Sequence, residues 1–337
     1  MKKILLTGAT GYIGSHTWVS LLEQGYDVLG IDNFSNSSPI VLDRIEKIVN
    51  KKPIFIQGDI RDEIFLKNIF SNYDIDSIIH FAAFKAVGES VKEPLKYYNN
   101  NVAGLLNLLT VSLIFNVENF VFSSSATVYG DINKCPIDEK TPLKATNPYG
   151  QTKLICENIL SDIKFAHKDF NIAILRYFNP VGAHRSGLIG ESPNGIPNNL
   201  MPYITQVAIG KIPYLNIFGG DYNTADGTGI RDYIHVLDLA QGHLSAIEYL
   251  YNHKKSITVN LGTGIGYSVL DLVKHFSQAS NIDIPYKITQ RREGDTAICY
   301  ADTDLAKKLM NWEAKYNLKH MCQDSWNWQL NNPKGYI

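Results

Sequence analysis

The apolar run Lys3–Thr7 breaks directly into Gly8-Ala9-Thr10-Gly11-Tyr12-Ile13-Gly14, and Trp18, Leu21 and Leu22 then recur at i, i+3 and i+4. Strand, glycine loop and amphipathic helix in that order leave little freedom of fold. Glycine is demanded where a backbone turns tightly, approaches a pyrophosphate closely and lets a helix pack on a strand. The helix that opens there points its free N–H groups and positive dipole end at a phosphate. A second apolar run, Asp27–Asp32, ends in a carboxylate eighteen residues after Gly14. A carboxylate at that place accepts from adenosine ribose hydroxyls and repels a 2′-phosphate. No Arg or Lys directly follows Asp32. The pattern therefore predicts NAD rather than NADP, although the GxxGxxG spacing is one residue longer than the commoner GxGxxG.

Further runs at Pro53–Gln57, Ser77–Ala82, Asn119–Ser124 and Ile172–Phe178 are almost continuously apolar, as parallel strands covered on both faces must be. Alternation with helical stretches predicts an α/β fold, a doubly wound parallel Rossmann-type sheet. Pro94–Val117 reads as one long helix. After about Pro180, Gly and Pro become frequent and periodicity fades. This predicts an NAD-binding domain over 1–180 and a smaller, loop-rich α/β substrate domain over 181–337. Tyr233–Val236 and Ile257–Leu261 look like strands that can return to the first domain.

Composition sets bounds on partners and compartment. The 337 residues carry a formal net charge of −1, so no global field attracts nucleic acid or an anionic membrane. Any anionic ligand must be met by locally placed Arg or Lys. The four cysteines, Cys135, Cys156, Cys299 and Cys322, form no CxxC pair, which argues against a disulfide scaffold or zinc site and fits a reducing cytoplasm. The apolar run after Met1-Lys2-Lys3 is too short for a signal peptide, and no window is long enough to span a membrane.

Tyr149-Gly150-Gln151-Thr152-Lys153 sets a phenol and an ammonium four residues apart, on one helix face behind Pro148. A tyrosine with a pKa of about 10 is a poor base at neutral pH; a nearby Lys⁺ and an oxidised nicotinamide ring both favour the phenolate. Ser123-Ser124-Ser125 ends a parallel strand, where ligands of such sheets bind, and a hydroxyl there can share the proton. YxxxK alone is common by chance; the glycine loop and the order of the motifs give it weight. The nine histidines show no ligand spacing, so no metal is predicted.

These residues resemble the extended short-chain dehydrogenase/reductase family and, within it, the UDP-galactose (UDP-glucose) 4-epimerases. The stretches that carry the resemblance are Thr7 to His16, Lys85 to Val91, Ser123 to Gly130, Arg176 to His184, Gly195 to Tyr203, Gly227 to Val236 and Arg291 to Asp295. It covers almost the whole chain. It implies Ser125, Tyr149 and Lys153 as the catalytic set. Around NAD it implies Tyr12, Ile13, Asp32, Asn33, Asp59, Ile60, Phe81, Ala82, Lys85, Asn100, Ser125, Tyr149, Lys153 and Tyr177, and around a UDP-sugar Asn179, Asn199, Leu200, Phe218, Arg231, Arg292 and Asp295. Two arginines can fork onto a diphosphate, a phenylalanine can lie against uracil, and Asp295 can accept from ribose hydroxyls.

The implied reaction is inversion at C4 of a UDP-hexose, by transient oxidation with an NAD that stays bound, rotation of the 4-keto sugar, and hydride return. The family is usually a homodimer, pairing helices that here are Pro94–Val117 and Tyr149–His167. At Cys299, members confined to UDP-glucose and UDP-galactose carry tyrosine, and members that also take N-acetylated sugars carry a small residue. The resemblance therefore implies activity on UDP-GlcNAc and UDP-GalNAc too, unless a neighbour fills the space beside Cys299. A sugar-nucleotide 4,6-dehydratase is the enzymatic alternative, but Ala126 and Thr127 stand where an Asp-Glu pair is needed. A non-catalytic NAD and sugar-nucleotide sensor is the other; such proteins typically lose the Tyr or Lys kept here. A net-oxidising dehydrogenase would release reduced cofactor.

Overall fold

The computed structural model describes residues 3–132, 134–193, 195, 197, 199–292 and 295–337; Met1 and Lys2 of the opening segment lie outside them. Its strands are β1 (Lys3–Thr7), β2 (Asp27–Asp32), β3 (Ile54–Gln57), β4 (Ile75–His80), β5 (Asn119–Ser125), β6 (Asn171–Tyr177), β7 (Asn179–Val181), β8 (Leu215–Phe218), β9 (Ile230–Arg231), β10 (Tyr233–His235), β11 (Ile257–Leu261), β12 (Tyr267–Ser268), β13 (Tyr286–Thr289) and β14 (Ile298–Cys299). The helices are α1 (Tyr12–Glu23), α2 (Ile40–Val49), α3 (Glu63–Asn72), α4 (Val87–Lys92), α5 (Pro94–Tyr97), α6 (Gly104–Ile114), α7 (Pro148–Ala166), α8 (Leu200–Ala208), α9 (Val236–His253), α10 (Val269–Ser280), α11 (Asp304–Met310) and α12 (Leu318–Asn331).

Seven strands form one sheet in the order β11-β6-β5-β4-β1-β2-β3, and every pairing in it is parallel. The order reverses at β1, whose neighbours β2 and β4 lead to opposite edges. Ligands of such sheets bind at the crevice outside the strands' carboxyl ends at that reversal. The alternation of side chains builds both covering layers. Ile4 and Leu6 join Trp18, Leu21, Leu239 and Ile247 on the α1 and α9 side. Leu5 faces the other way with Leu66, Leu105, Leu108, Phe120 and Leu160, under α3, α6 and α7. Each such fully buried aliphatic side chain contributes roughly 1.5–3 kcal/mol.

The last strand of this sheet, β11, comes from the second half of the chain. Tyr233 to His235 pairs instead with β7 in a two-stranded ladder and runs straight into α9, which crosses onto α1. Beyond the sheet, a separate cluster of Met201, Ile204, Leu215, Ile217, Leu272, Phe276, Met321 and Cys322 holds α8, α10 and α12 together.

The helix expected over Pro94–Val117 is not regular. Between α5 and α6 the segment Tyr98–Ala103 is a π-helix. Three consecutive asparagines, Asn99 to Asn101, fill that turn; Asn competes with the helical backbone through its own amide. The wider turn lets Asn101 bury its side chain, accepting from Phe84 N–H at 2.8 Å and donating to Phe84 O and Thr152 Oγ1 at 3.0 Å. The distortion thus fastens the loop after β4 to α7, both of which border the sheet's carboxyl end. Single π-turns of this kind gather at functional sites.

Candidate active site

Gly8 has φ +66°, and a Cβ there would stand 2.7 Å from the Ala82 nitrogen. A Cβ on Gly14 would lie 2.2 Å from the Gly8 carbonyl oxygen. Both contacts are with backbone, so neither position tolerates a side chain. Gly11 caps α1 without any side-chain hydrogen bond, and the first turn holds no acid. The N-terminal N–H groups are left for an anion from outside the chain.

Asp32 at the end of β2 accepts from Thr10 N–H at 3.2 Å, Phe34 N–H at 2.9 Å and Ser37 Oγ at 3.1 Å. A carboxylate has about four acceptor positions, so one remains for a ligand hydroxyl. Beside it, Asn33 Nδ2 donates to Asp59 at 2.9 Å, and Arg61 pairs with Asp59 at 2.7 Å. The Arg61 hydrogen bonds draw the Asp59 carboxyl down to about 2. Ile60 is buried against Gly104. Asn100 donates to Asn101 at 3.0 Å within the π-turn, and Ile13 packs on the sheet core. Phe81 faces the His243 ring at 4.6 Å between centroids.

At the neighbouring strand ends, α7 delivers its pair. Asn147 caps that helix through Gly150 N–H at 2.9 Å and Pro148 follows at its first position, so the register of Tyr149 and Lys153 is fixed locally. The Tyr149 phenol lies beside Ser125 and is 9% exposed. Ser125 also receives Thr127 N–H at 3.2 Å and Thr127 Oγ1 at 3.0 Å. Lys153 Nζ donates to the Ser123 carbonyl at 2.6 Å and lies 4.9 Å from the centre of the Phe122 ring.

The expected lowering of the tyrosine by lysine is not seen in the protein alone. Burial pushes the Tyr149 phenol up to about 12, with the Ser125 hydrogen bond opposing it only partly. The same burial pulls Lys153 down to about 8. Desolvation penalises each charged form and outweighs their neighbours. The Tyr177 hydroxyl, beside Tyr149 and Ser123, is buried without a well-formed hydrogen bond. That orphaned hydroxyl, the bare α1 N-terminus and the spare Asp32 position together suit a dinucleotide with its nicotinamide end at Tyr177.

The residues expected on the substrate side come from five segments. Arg231 on β9 stands opposite Cys299 on β14. Cys299 packs in one cluster with Phe178, Ala126 and Leu154, the last two being chain neighbours of Ser125 and Lys153. Burial pushes its thiol up to about 12. Tyr300, the next residue, turns its ring onto Gly266. Arg292 pairs with Asp295 at 3.0 Å and lies 4.9 Å from the centre of the exposed Phe218 ring. Asn179 sits on β7, exposed, and Leu200 opens α8 just after its cap, Asn199. Within these motifs, Ile196, Asn198, Glu293 and Gly294 lie outside the described residues.

Three groups were not singled out by sequence. Glu191 accepts from both Lys85 and Asn199. Arg176 forms a buried ion pair with Glu157 at 2.6 Å and donates to Tyr129 at 3.1 Å, beneath the serine run. His80 shares a 2.7 Å hydrogen bond with Thr7, and Thr7 Oγ1 receives Ala82 N–H at 3.3 Å. A charge inside the apolar run of β6 was the readable signal for Arg176; a lone acid in a Gly-rich loop gave none for Glu191.

A family model described as GDP-mannose 4,6 dehydratase matches residues 5–325. The UDP-glucose 4-epimerase of Haemophilus influenzae is 57% identical over 334 residues, 99% of each chain. The crystal structure of the UDP-glucose 4-epimerase from Stenotrophomonas maltophila, with bound NAD and formylated UDP-arabinopyranose, superposes with a TM-score of 0.97 at 47% identity, covering 99% of both chains. That from Bifidobacterium longum in complex with NAD⁺ and UDP gives 0.95 at 49% identity, covering 99% of this chain and 100% of the other. Among the described residues no group of His, Cys, Asp and Glu could hold a metal ion, and no helix is long and apolar enough to cross a membrane.

Proposed function

Because this chain belongs to the UDP-glucose 4-epimerase family, we propose that it interconverts UDP-glucose and UDP-galactose by inverting C4, with NAD as its resident cofactor. The observation that carries the reading is the buried Tyr149 phenol beside Ser125 at the carboxyl end of the sheet, one helical turn from Lys153, whose ammonium donates to the Ser123 carbonyl at 2.6 Å. Gly8, Gly11, Tyr12, Gly14, Asp32, Lys85 and Tyr177 would hold the cofactor. When bound, NAD supplies a hydride acceptor and donor, and its oxidised ring a positive charge.

Tyr149 takes the proton of the 4-hydroxyl and later returns it, with the Ser125 hydroxyl beside it to share that proton. A phenol at about 12 stays protonated at neutral pH and cannot take a proton, so the reaction depends on positive charge arriving beside it to favour the phenolate. Lys153, buried and near 8, is poised to follow that change in charge. Arg231 and Arg292 would anchor the diphosphate with Phe218 on the uracil, leaving the hexose free to turn. Thr127 spends its hydroxyl on Ser125, and Ala126 offers no acid, so elimination of water across C5 and C6 lacks its acid–base pair.

The small side chain at Cys299 supports a second substrate pair. A thiol there occupies less space beside C2 than a tyrosine ring, and the Tyr300 ring lies against Gly266, so UDP-GlcNAc and UDP-GalNAc are also interconverted. The four free thiols support a cytoplasmic setting. Exposed Leu95, Phe165, Val91 and Leu106 on and around α4 to α7 support a homodimer through these helices.

Purified protein given UDP-galactose and no other reagent should yield UDP-glucose with no net NADH. Steady accumulation of NADH, or of a 4-keto-6-deoxy sugar, contradicts this function.

A further inference from the structure

Glu191 joins two residues that the family resemblance assigns to different ligands, Lys85 to NAD and Asn199 to the UDP-sugar. Its Oε1 receives Lys85 Nζ at 3.0 Å and Asn199 Nδ2 at 2.6 Å. Lys85 also lies 5.9 Å from the centre of the Tyr12 ring, and Tyr12 is fixed by donating to Gly182 O at 2.7 Å. Lys85 therefore belongs to the dinucleotide side and Asn199 to the sugar-nucleotide side, with one carboxylate oxygen between them. The Glu191 side chain is only 12% exposed, which favours a defined position over a solvated one.

The backbone carrying Glu191 is held as firmly as its side chain. Gly190 N–H donates to Tyr336 Oη at 3.0 Å, and Tyr336 Oη donates to Gly190 O at 3.2 Å. A Cβ on Gly190 would meet the Trp328 ring at 2.4 Å, and Trp328 Nε1 donates to Glu191 O at 3.3 Å. The chain's C-terminal segment thus presses an acidic residue against both ligand-facing groups. A surface ion pair would need no such support.

We infer that Glu191 is a positioning residue that couples the two halves of the site, orienting Lys85 for the dinucleotide and Asn199 for the nucleotide sugar through a single carboxylate. The inference rests on the proposed roles of Lys85 and Asn199. Its consequence is asymmetric. Glu191→Gln removes the charge that holds Lys85 but keeps an oxygen to accept from Asn199, whereas Glu191→Ala releases both.

The test uses the full-length holoprotein, following loss of bound NAD on gel filtration and affinity for UDP. Glu191→Gln should speed NAD loss about tenfold while changing UDP affinity less than about threefold; Glu191→Ala should weaken both about tenfold. In double variants the effects should not add. Glu191→Gln should change nothing further in Lys85→Met, and Glu191→Ala nothing further for UDP in Asn199→Ala. Additive effects, or an isosteric Glu191→Gln indistinguishable from the parent, overturn the coupling while leaving the ligand assignments intact. If Lys85→Met and Asn199→Ala themselves leave NAD and UDP binding unchanged, the assignments fail and the coupling with them. Should Glu191→Ala not fold, the Glu191→Gln cycle with Lys85→Met decides alone.

Discussion

Lys153 Nζ donates to the Ser123 carbonyl at 2.6 Å, while the Tyr149 phenol, one turn earlier on α7, lies beside Ser125. Lysine and tyrosine are thus fixed by neighbouring residues of the same strand end. Their distance from each other is set by the sheet rather than by a direct bond.

A buried ammonium is costly, and Lys153→Met should reveal it. The Lys153 pKa falls from 10.5 to about 8 on folding. Below pH 8 the lysine is protonated in both folded and unfolded chains, so the burial cost is fully present. As pH rises from 8 to 10.5 the unfolded chain binds the extra proton, and beyond 10.5 the cost is gone. Lys153→Met should therefore unfold at or above the parent's temperature at pH 7, with its relative stability changing by pH 10, while epimerisation is lost. A variant less stable by the same margin at both pH values contradicts this.

Acid should destabilise the fold before its carboxylates titrate. Burial lowers His16 and His80 to about 3 and His243 to about 4. Each remains neutral in the folded chain while the unfolded chain takes up protons below about pH 6.5. For each ring, stability falls by at most about 1.4 kcal/mol per pH unit through that window. Thermal unfolding should thus fall steadily from pH 6.5 towards pH 4.5. A melting temperature flat across that window would show the three rings are not buried neutral.

The cofactor loop admits no side chain at Gly14. Gly14→Ala places a methyl against the Gly8 carbonyl and displaces the loop that faces the pyrophosphate. The variant should purify without NAD and regain little on adding it, as measured by the cofactor released on denaturation. Stoichiometric NAD in Gly14→Ala would remove the case for this loop as the cradle.

Much of this was readable from residues alone, and the limits have physical causes. The parallel strands follow from continuous apolar runs, and the glycine loop from contacts that only a missing Cβ permits. The π-turn at Tyr98–Ala103 was not readable, because Leu, Tyr and Val on two sides of the segment suggest an ordinary helix. What widens it is the burial of Asn101 against Phe84 and Thr152, contacts distant in sequence. How far burial shifts Tyr149 and Lys153 in the protein alone is not readable either, for a similar reason. Spacing shows which groups are neighbours but not how completely both are cut off from water. Glu191 escaped because its partners lie 106 and 8 residues away.

The proposed substrate breadth turns on Cys299. Cys299→Tyr puts a ring opposite Arg231 beside Ala126. UDP-GlcNAc turnover should drop by about a hundredfold or more, with UDP-glucose turnover within a few-fold of the parent. Equal loss on both substrates would mean that the ring disturbs the site generally, and no UDP-GlcNAc turnover by the parent would remove dual specificity altogether.

Whether Tyr149 is the base that opens C4 is decided by the steady-state rate of UDP-galactose to UDP-glucose conversion in Tyr149→Phe. Only one oxygen is removed from a buried ring, so the fold, bound NAD and affinity for UDP should persist. The kcat should fall by about 10²–10⁴-fold, the range for loss of a positioned acid–base group. A variant that retains NAD and UDP binding and still turns over within a few-fold of the parent would contradict the assignment.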